Sequence, residues 1–351
     1  MRVGISLLTL VPGVVGGSET YAKELVRALG RVGEEEYEVF TPSIVDDIEG
    51  RRIGSYRASR TMPGRLLAMS EALTRSGRLR REMGVGRLDA IHFPLTVMLP
   101  RVERPPAAVS LLDIQHVFFP EFFSRAERAY RRVAYGSSLR RARAVIAISE
   151  HVKETLVERM GIEPDRVAVI HLGLDHEIFR PGAEPREPFL LYPANPWPHK
   201  NHARLFRAFE QLRRRRPELR LVLTGTGLER LTTPAGVVVR GRVPRNELAS
   251  LYRRASALIF PSLYEGFGQP PLEAMASGTP VVSSTAGSLP EICGNAARYF
   301  DPLSVDEMVE AVDTVLNDPQ TLVARGLERA EQFTWDACAR AHDEVYRGLA
   351  A

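Results

Sequence analysis

Two glutamates in one glycine-punctuated segment carry the strongest chemical signal in the chain. The stretch Pro261-Ser-Leu-Tyr-Glu-Gly-Phe-Gly-Gln-Pro-Pro-Leu-Glu-Ala-Met-Ala-Ser-Gly-Thr-Pro280 follows an apolar run ending at Phe260. Pro270 and Pro271 suit the first positions of a helix, and Gly278 suits the place just past its end. That reading puts Glu265 in a loop and Glu273 in the helix, eight positions apart. Two carboxylates beside helix N-terminal N–H groups can accept hydrogen bonds from sugar hydroxyls while the backbone meets a diphosphate. The plainer alternative is a capped surface helix with solvated acids.

A cation for such an anion is found in Tyr192-Pro-Ala-Asn-Pro-Trp-Pro-His-Lys-Asn-His202. Its three prolines make a stiff loop that delivers Lys200 to the start of a helix over 203–215. The chain has three lysines (Lys23, Lys153, Lys200) against 44 arginines, so a compact point charge at Lys200 stands out. His199 and His202 invite a metal reading, but no third ligand is evident and the spacing is wrong for one helix face. Gly13-Val-Val-Gly-Gly-Ser-Glu-Thr20 lies between the first strand and its helix. There Ser18 could cap the helix, and the N–H groups near Gly16 and Gly17 could meet an anion; the alternative is an ordinary tight turn. Thr224-Gly-Thr-Gly-Leu-Glu-Arg230 has two glycines of a dinucleotide fingerprint, but Arg230 replaces the third, and Glu247 opens a helix instead of ending a strand. NAD binding is therefore disfavoured, though a loop passing close to some nucleotide, at Gly225, remains in play.

These residues need strands to hold them. Apolar β-branched runs occur at 2–8, 37–41, 89–93, 107–112, 144–148 and 167–171. They recur at 189–192, 219–223, 236–239, 257–260 and 280–283. Runs of this kind with helices between them predict an α/β protein with doubly wound parallel sheets. A helix over 19–29 is expected to end at Gly30, others span 203–215, 245–254 and 271–276, and the tail from Asp306 reads as helical. The 351 residues are too many for one ordinary core. Residues 179–188, with three prolines, read as the linker between domains at 1–178 and 189–335, with 336–351 a C-terminal helix that could pack back on the first. The composition, 44% hydrophobic and 26% charged, is that of a globular chain, and no apolar run is long enough to span a bilayer. Cys293 and Cys338 lie far apart, which fits a reducing cytoplasm. The net charge of +4 says little about partners.

The signature at 261–282 resembles that of retaining glycosyltransferases of the GT-B fold, the family 4 type that includes mannosyltransferases and sucrose synthases. Weaker likenesses extend over the chain: Gly16-Gly17, residues 169–181, Gly241-Arg-Val-Pro-Arg-Asn-Glu-Leu248 and residues 284–291. The resemblance implies two Rossmann-like domains facing a central cleft, the C-terminal one binding a nucleotide-diphosphate-sugar. By the same likeness Glu265 would bind donor hydroxyls near the reacting carbon, and Gly266, Phe267 and Gly268 would offer N–H groups. Glu273, with Leu272 beside it, would meet the ribose, Val243 would flank the base, and Lys200 would neutralise the leaving diphosphate. Relatives usually have an arginine shortly before that lysine; here Asn195 and Pro196 stand in the loop, and Arg204 is a candidate substitute. The family's histidine near the donor sugar would be His116, in Asp113-Ile-Gln-His116, because the position relatives fill with another histidine is Leu112.

The function implied is hexosyl transfer with retention, GDP-mannose being the first donor to try, to a glycan, lipid-linked or small-molecule hydroxyl. No cofactor or metal is expected, since no Asp-x-Asp triplet is present. A non-catalytic sugar-nucleotide binding protein is the rival reading. The arginine-rich stretch 64–87, with Leu66, Leu67, Met69, Leu73 and Leu79, reads either as a solvated helix of the acceptor domain or as a face that touches anionic lipid at the inner side of the cytoplasmic membrane. It lacks the interleaved aromatics of a nucleic-acid surface.

Overall fold

The computed structural model describes residues 1–13 and 16–350, without the side chains of Met62, Leu66 and Leu73. Val14 and Val15 of the glycine-rich turn, and the Leu66 and Leu73 side chains of the basic stretch, thus lie outside the described residues. The chain forms two units, residues 1–173 with 335–351, and residues 174–334.

Unit 1 is built on seven parallel strands: β1 (Arg2–Ser6), β2 (Glu36–Pro42), β3 (Arg51–Ile53), β4 (Ala90–Phe93), β5 (Ala107–Leu111), β6 (Ala144–Ala147) and β7 (Val167–Val169). Their order is β3-β2-β1-β4-β5-β6-β7. Unit 2 has six, β8 (Glu187–Pro193), β9 (Arg220–Thr224), β10 (Val237–Gly241), β11 (Ala255–Phe260), β12 (Val281–Ser284) and β13 (Ala297–Phe300), in the order β10-β9-β8-β11-β12-β13. Both are doubly wound sheets, and the direction of winding reverses between β1 and β4 and between β8 and β11. The central strands are buried on both faces, as their apolar runs require.

The two strands absent from the sequence reading are both edges. Arg51 and Arg52 of β3 face solvent, and β13 exposes Arg298. Edge strands carry charge to discourage further pairing, so they lack the apolar run that reveals central strands. The proline-rich segment 179–188 is not the linker. Phe179 is 1% exposed and packs on Tyr252, Arg186 donates to the Ala255 carbonyl at 2.8 Å, and Glu184 pairs with Arg253. The prolines keep this segment out of regular structure, and its side chains fasten it to unit 2. The helix Gly17–Val32 runs through Gly30 and ends at Gly33. The basic stretch is two helices, Met62–Thr74 and Ser76–Met83, broken at Arg75; Leu79 and Met83 are buried and Leu67 is 62% exposed. The tail breaks into helices Val305–Asn317, Gln320–Glu331 and Trp335–Ala350, the last of them in unit 1. Among the described residues no helix is long and apolar enough to cross a membrane.

A buried polar chain fastens that last helix to the unit 1 sheet. Tyr346 Oη lies 2.8 Å from His92 Nδ1, His92 Nε2 2.8 Å from Ser110 Oγ, and Ser110 Oγ 2.7 Å from Tyr21 Oη. Tyr21 Oη lies 2.9 Å from His342 Nε2, and His342 Nδ1 2.7 Å from the Cys338 carbonyl. A carbonyl only accepts, so His342 Nδ1 carries a proton, and because burial keeps the ring neutral Nε2 accepts from Tyr21. Each hydroxyl has one proton, so the direction propagates: Ser110 donates to Tyr21, His92 Nε2 to Ser110, and Tyr346 to His92 Nδ1. With both histidines held neutral by burial, the bonds run one way from Tyr346 to the Cys338 carbonyl.

Candidate active site of unit 2

The reversal between β8 and β11 is where an open α/β sheet binds ligands, at the carboxyl ends of its strands. The loop after β8 supplies Lys200, and the loop after β11 supplies Glu265. Lys200 Nζ donates to Glu265 Oε1 at 2.6 Å, and the two side chains are only 13% and 14% exposed. Sixty-five positions apart in sequence, they are brought together by the pairing of β8 with β11. The loops are also fastened to each other. Leu263 N–H donates to the His199 carbonyl at 2.7 Å, Asn201 Nδ2 donates to the Pro261 carbonyl at 3.0 Å, and Tyr192 Oη donates to the Lys200 carbonyl at 2.6 Å. Asn201 adopts φ 60°, which turns the chain into the helix His202–Arg215.

Lys200 carries the charge of its loop. Burial lowers the His199 imidazole to about 3 and His202 to about 4, with Lys200 itself the next cause in each case. Both rings are therefore neutral near pH 7, and both pack on aromatics: Trp197 beside His199, Tyr192 and Phe206 beside His202. Among the described residues no group of three or more His, Cys, Asp and Glu converges as a metal site. Arg204 donates to Asn201 Oδ1 at 3.1 Å, so its guanidinium is engaged beside the helix start. Asn195 Oδ1 accepts from Thr226 N–H at 2.7 Å and thereby joins the β8 and β9 loops. Gly225 makes that closeness possible, since a Cβ there would lie 2.8 Å from the Ala194 carbonyl.

Glu273, on the helix Gln269–Ala276, accepts from Tyr252 Oη at 2.9 Å. Loss of surrounding water pushes its carboxyl up to about 7; Tyr252 and Arg245 oppose this and Asp175 adds to it. Arg245 pairs with Asp175 at 3.2 Å. Gly268 begins the helix at φ 115°, so a glycine is needed there. Two side chains of the segment root it in unit 2. Leu272 is fully buried, and the Phe267 ring packs edge-on against Phe333, 6.0 Å between centroids. Both side chains anchor the segment in the core, and the backbone N–H expected of Phe267 does not involve its ring. Gly266 is buried, and Val243 is half-buried in the turn after β10. Glu247 pairs with Arg240 at 2.7 Å, which removes the acid a dinucleotide reading would need.

In unit 1, Gly16 is the residue before the helix Gly17–Val32, at φ 54°, and no side chain caps that helix. Ser18 is inside the helix and does not cap it. Glu19 instead accepts from Gly13 N–H at 2.7 Å and pairs with Lys23, which also meets Asp47. His116 lies on a one-turn helix, not in an open loop, and is 7% exposed between Phe123 and Tyr135. Burial and the nearby Arg131 lower its imidazole to about 4, and its Nδ1 is buried without a hydrogen-bond partner.

Residues 15–178 match the family described as Glycosyltransferase Family 4, and residues 175–333 match Glycosyl transferases group 1. The chain is 30% identical to O-antigen chain mannosyltransferase B of Escherichia coli, over 95% of this chain and 96% of that protein. It is a family 4 glycosyltransferase. Among solved structures, sucrose-phosphate synthase from Thermosynechococcus elongatus superposes with a TM-score of 0.77 at 21% identity, covering 99% of both chains. HepE from Anabaena, solved with UDP-glucose, gives 0.72 at 18% identity, covering 99% of this chain and all of that one. The transferase has the GT-B fold, two Rossmann-like units in tandem, and membership makes it an enzyme instead of a non-catalytic binder.

Three supports of the transferase's site were not visible in its sequence: Tyr252 behind Glu273, and Gly287 and Ser288 behind Glu265. Ser288 N–H donates to the Glu265 carbonyl at 3.1 Å, and its hydroxyl, with one proton, donates to the nearer Phe267 carbonyl at 2.7 Å. Gly287 sits at φ 60°, and a Cβ there would fall 2.4 Å from the Glu265 carbonyl oxygen. Replacing Gly287 with alanine should therefore cost about 1–3 kcal/mol of stability and lower turnover, because the loop bearing Glu265 must move. Melting temperature and kcat together check this. Wild-type values for both would mean the loop is not braced there.

Proposed function

We propose that the transferase moves a hexosyl group from a nucleotide-diphosphate-sugar to an acceptor hydroxyl with retention at the anomeric carbon. The observation carrying this reading is the Lys200–Glu265 pair at the winding reversal of unit 2. Lys200 would neutralise the departing diphosphate, together with N–H groups at the start of the helix 269–276, and Glu265 would hold sugar hydroxyls. Glu273 would take the ribose hydroxyls, and Val243 would flank the base. GDP-mannose is the first donor to test, on the strength of the mannosyltransferase likeness, with UDP-glucose second. The acceptor class is a glycan or lipid-linked glycan. For a lipid-linked one, residues 64–87 would meet an anionic surface.

In this reading the acceptor hydroxyl attacks on the diphosphate's own face. The bond from the anomeric carbon to the phosphate oxygen breaks, the bond to the acceptor oxygen forms, and the departing phosphate oxygen takes the acceptor proton. The packing of Glu265 against Lys200 suits a hydroxyl acceptor better than a nucleophile that must approach the opposite face. No divalent ion has a role, because Lys200 and the backbone carry the charge.

The test follows nucleotide diphosphate release from a panel of nucleotide sugars, with product NMR. Release that survives EDTA and a product with the donor's anomeric configuration are expected. Tight donor binding without release from any donor and acceptor would reject the reading. An adduct on Glu265, trapped by mass spectrometry, would reject same-face attack.

A further inference from the structure

Lys200 has one anionic partner, and the ligand assigned to it above is a second. Glu265 Oε1 holds the ammonium at 2.6 Å in the free protein. The backbones on both sides are fixed. The Lys200 carbonyl accepts from Tyr192, the His199 carbonyl from Leu263 N–H, and the Glu265 carbonyl from Ser288. Any exchange of partners is therefore limited to side-chain rotation. The neighbouring His199 and His202 are held neutral by burial and bring no further charge. A diphosphate placed at Lys200 must share one cation with a carboxylate already there.

The donor and the spent nucleotide meet this competition differently. The sugar of the donor brings hydroxyls that donate to Glu265 and offset the repulsion. The free diphosphate has lost those hydroxyls. Its terminal phosphate, with a second pKa of about 6, carries one more negative charge near neutral pH. We infer that Glu265 sets the preference of the site for sugar-bearing over free nucleotide, by competing with the diphosphate for Lys200 and so promoting release of the product. This rests on the donor reading above and adds a task for Glu265 beyond holding hydroxyls: it weakens the hold on the by-product.

The experiment measures calorimetric dissociation constants for the full-length chain and for E265Q, with GDP, GDP-mannose and guanosine, and with UDP, UDP-glucose and uridine. A like charge at this range couples by about one pK unit or more, so E265Q should bind the free diphosphate about tenfold tighter. The same variant should bind the sugar nucleotide no tighter than wild type. The nucleoside, which lacks phosphate, should bind both equally, a result that a general disturbance of the loop would not give. E265D keeps the charge one methylene further from Lys200 and should tighten the free diphosphate by less; it serves alone if E265Q fails to fold. Unchanged or weaker diphosphate binding by the folded variants, with wild type still binding, overturns the inference and leaves the donor reading intact. Absence of binding of either nucleotide series to wild type overturns both.

Discussion

Replacing Lys200 with methionine is expected to lower nucleotide diphosphate release by about 10²–10³-fold, the effect of losing a preorganised charge donor at a departing anion. The size follows from what else is nearby. His199 and His202 are uncharged near pH 7, Arg204 is engaged by Asn201, and the loop before Lys200 offers Asn195 and Pro196 and no further cation. No second cation in the loop takes over when the ammonium goes. Methionine keeps most of the aliphatic stem over the Phe260 ring, which the ammonium now faces at 5.3 Å. The variant does leave Glu265 a poorly solvated charge without its partner, and some stability goes with it. K200M with E265Q removes that unpaired charge, so the double variant should regain stability without regaining turnover. Lys200→Arg keeps the charge but spreads it over a planar fork, and should recover only part of the rate. A folded Lys200→Met enzyme turning over near the wild-type rate would remove Lys200 from the chemistry.

The sequence disclosed the parts of this site that depend on unusual residues in a fixed local pattern. Glu265, Gly268 and Glu273 sit in one strand–loop–helix unit, and the runs at 257–260 and 280–283 bracket it. Lys200 stood out because arginine fills almost every other cationic position. What escaped was tertiary. Nothing local tells Tyr252 that its hydroxyl will meet a carboxylate 21 positions away, or Gly287 that its Cα will pass against the Glu265 backbone. The side chains of Leu272 and Phe267 show a second task inside the motif, since a motif also needs apolar groups to root it in the core. His116 adds a further case: the sequence shows a histidine near an aspartate in a strand-following segment, and only the fold sets its ring edge-on to Phe123 and Tyr135. The boundary between units was misplaced because prolines signal irregular backbone, not freedom from contact.

Acid should destabilise the protein between pH 6.5 and about 4, and unit 1 more than unit 2. Five imidazoles are held below their ordinary value by burial. In unit 1, His116 and His342 fall to about 4, and His92 is also driven well below 6.5. In unit 2, His199 falls to about 3 and His202 to about 4. Between the unfolded value near 6.5 and these folded values, the unfolded chain takes up a proton that the folded chain refuses. Stability is therefore full above about pH 6.5 and falls as pH drops through the window, by up to about 1.4 kcal/mol per pH unit for each group. Glu273 acts in the opposite sense. Its folded value of about 7 exceeds the ordinary 4.5, so between those values the folded state binds the proton first and gains stability as pH falls. Unit 2 thus has two losses against one gain, and unit 1 has three losses. Protonation also reorders the polar chain of unit 1: a proton on His92 Nδ1 reverses its bond with Tyr346, and one on His342 Nε2 reverses its bond with Tyr21. Calorimetry from pH 7.5 to 4.5 should show the transition of unit 1 moving to lower temperature faster than that of unit 2. A truncation lacking residues 335–351 should lose the cooperative unit 1 transition, which assigns the peaks. Equal or negligible shifts over this range would mean that the buried imidazoles are already solvated or charged in the folded protein.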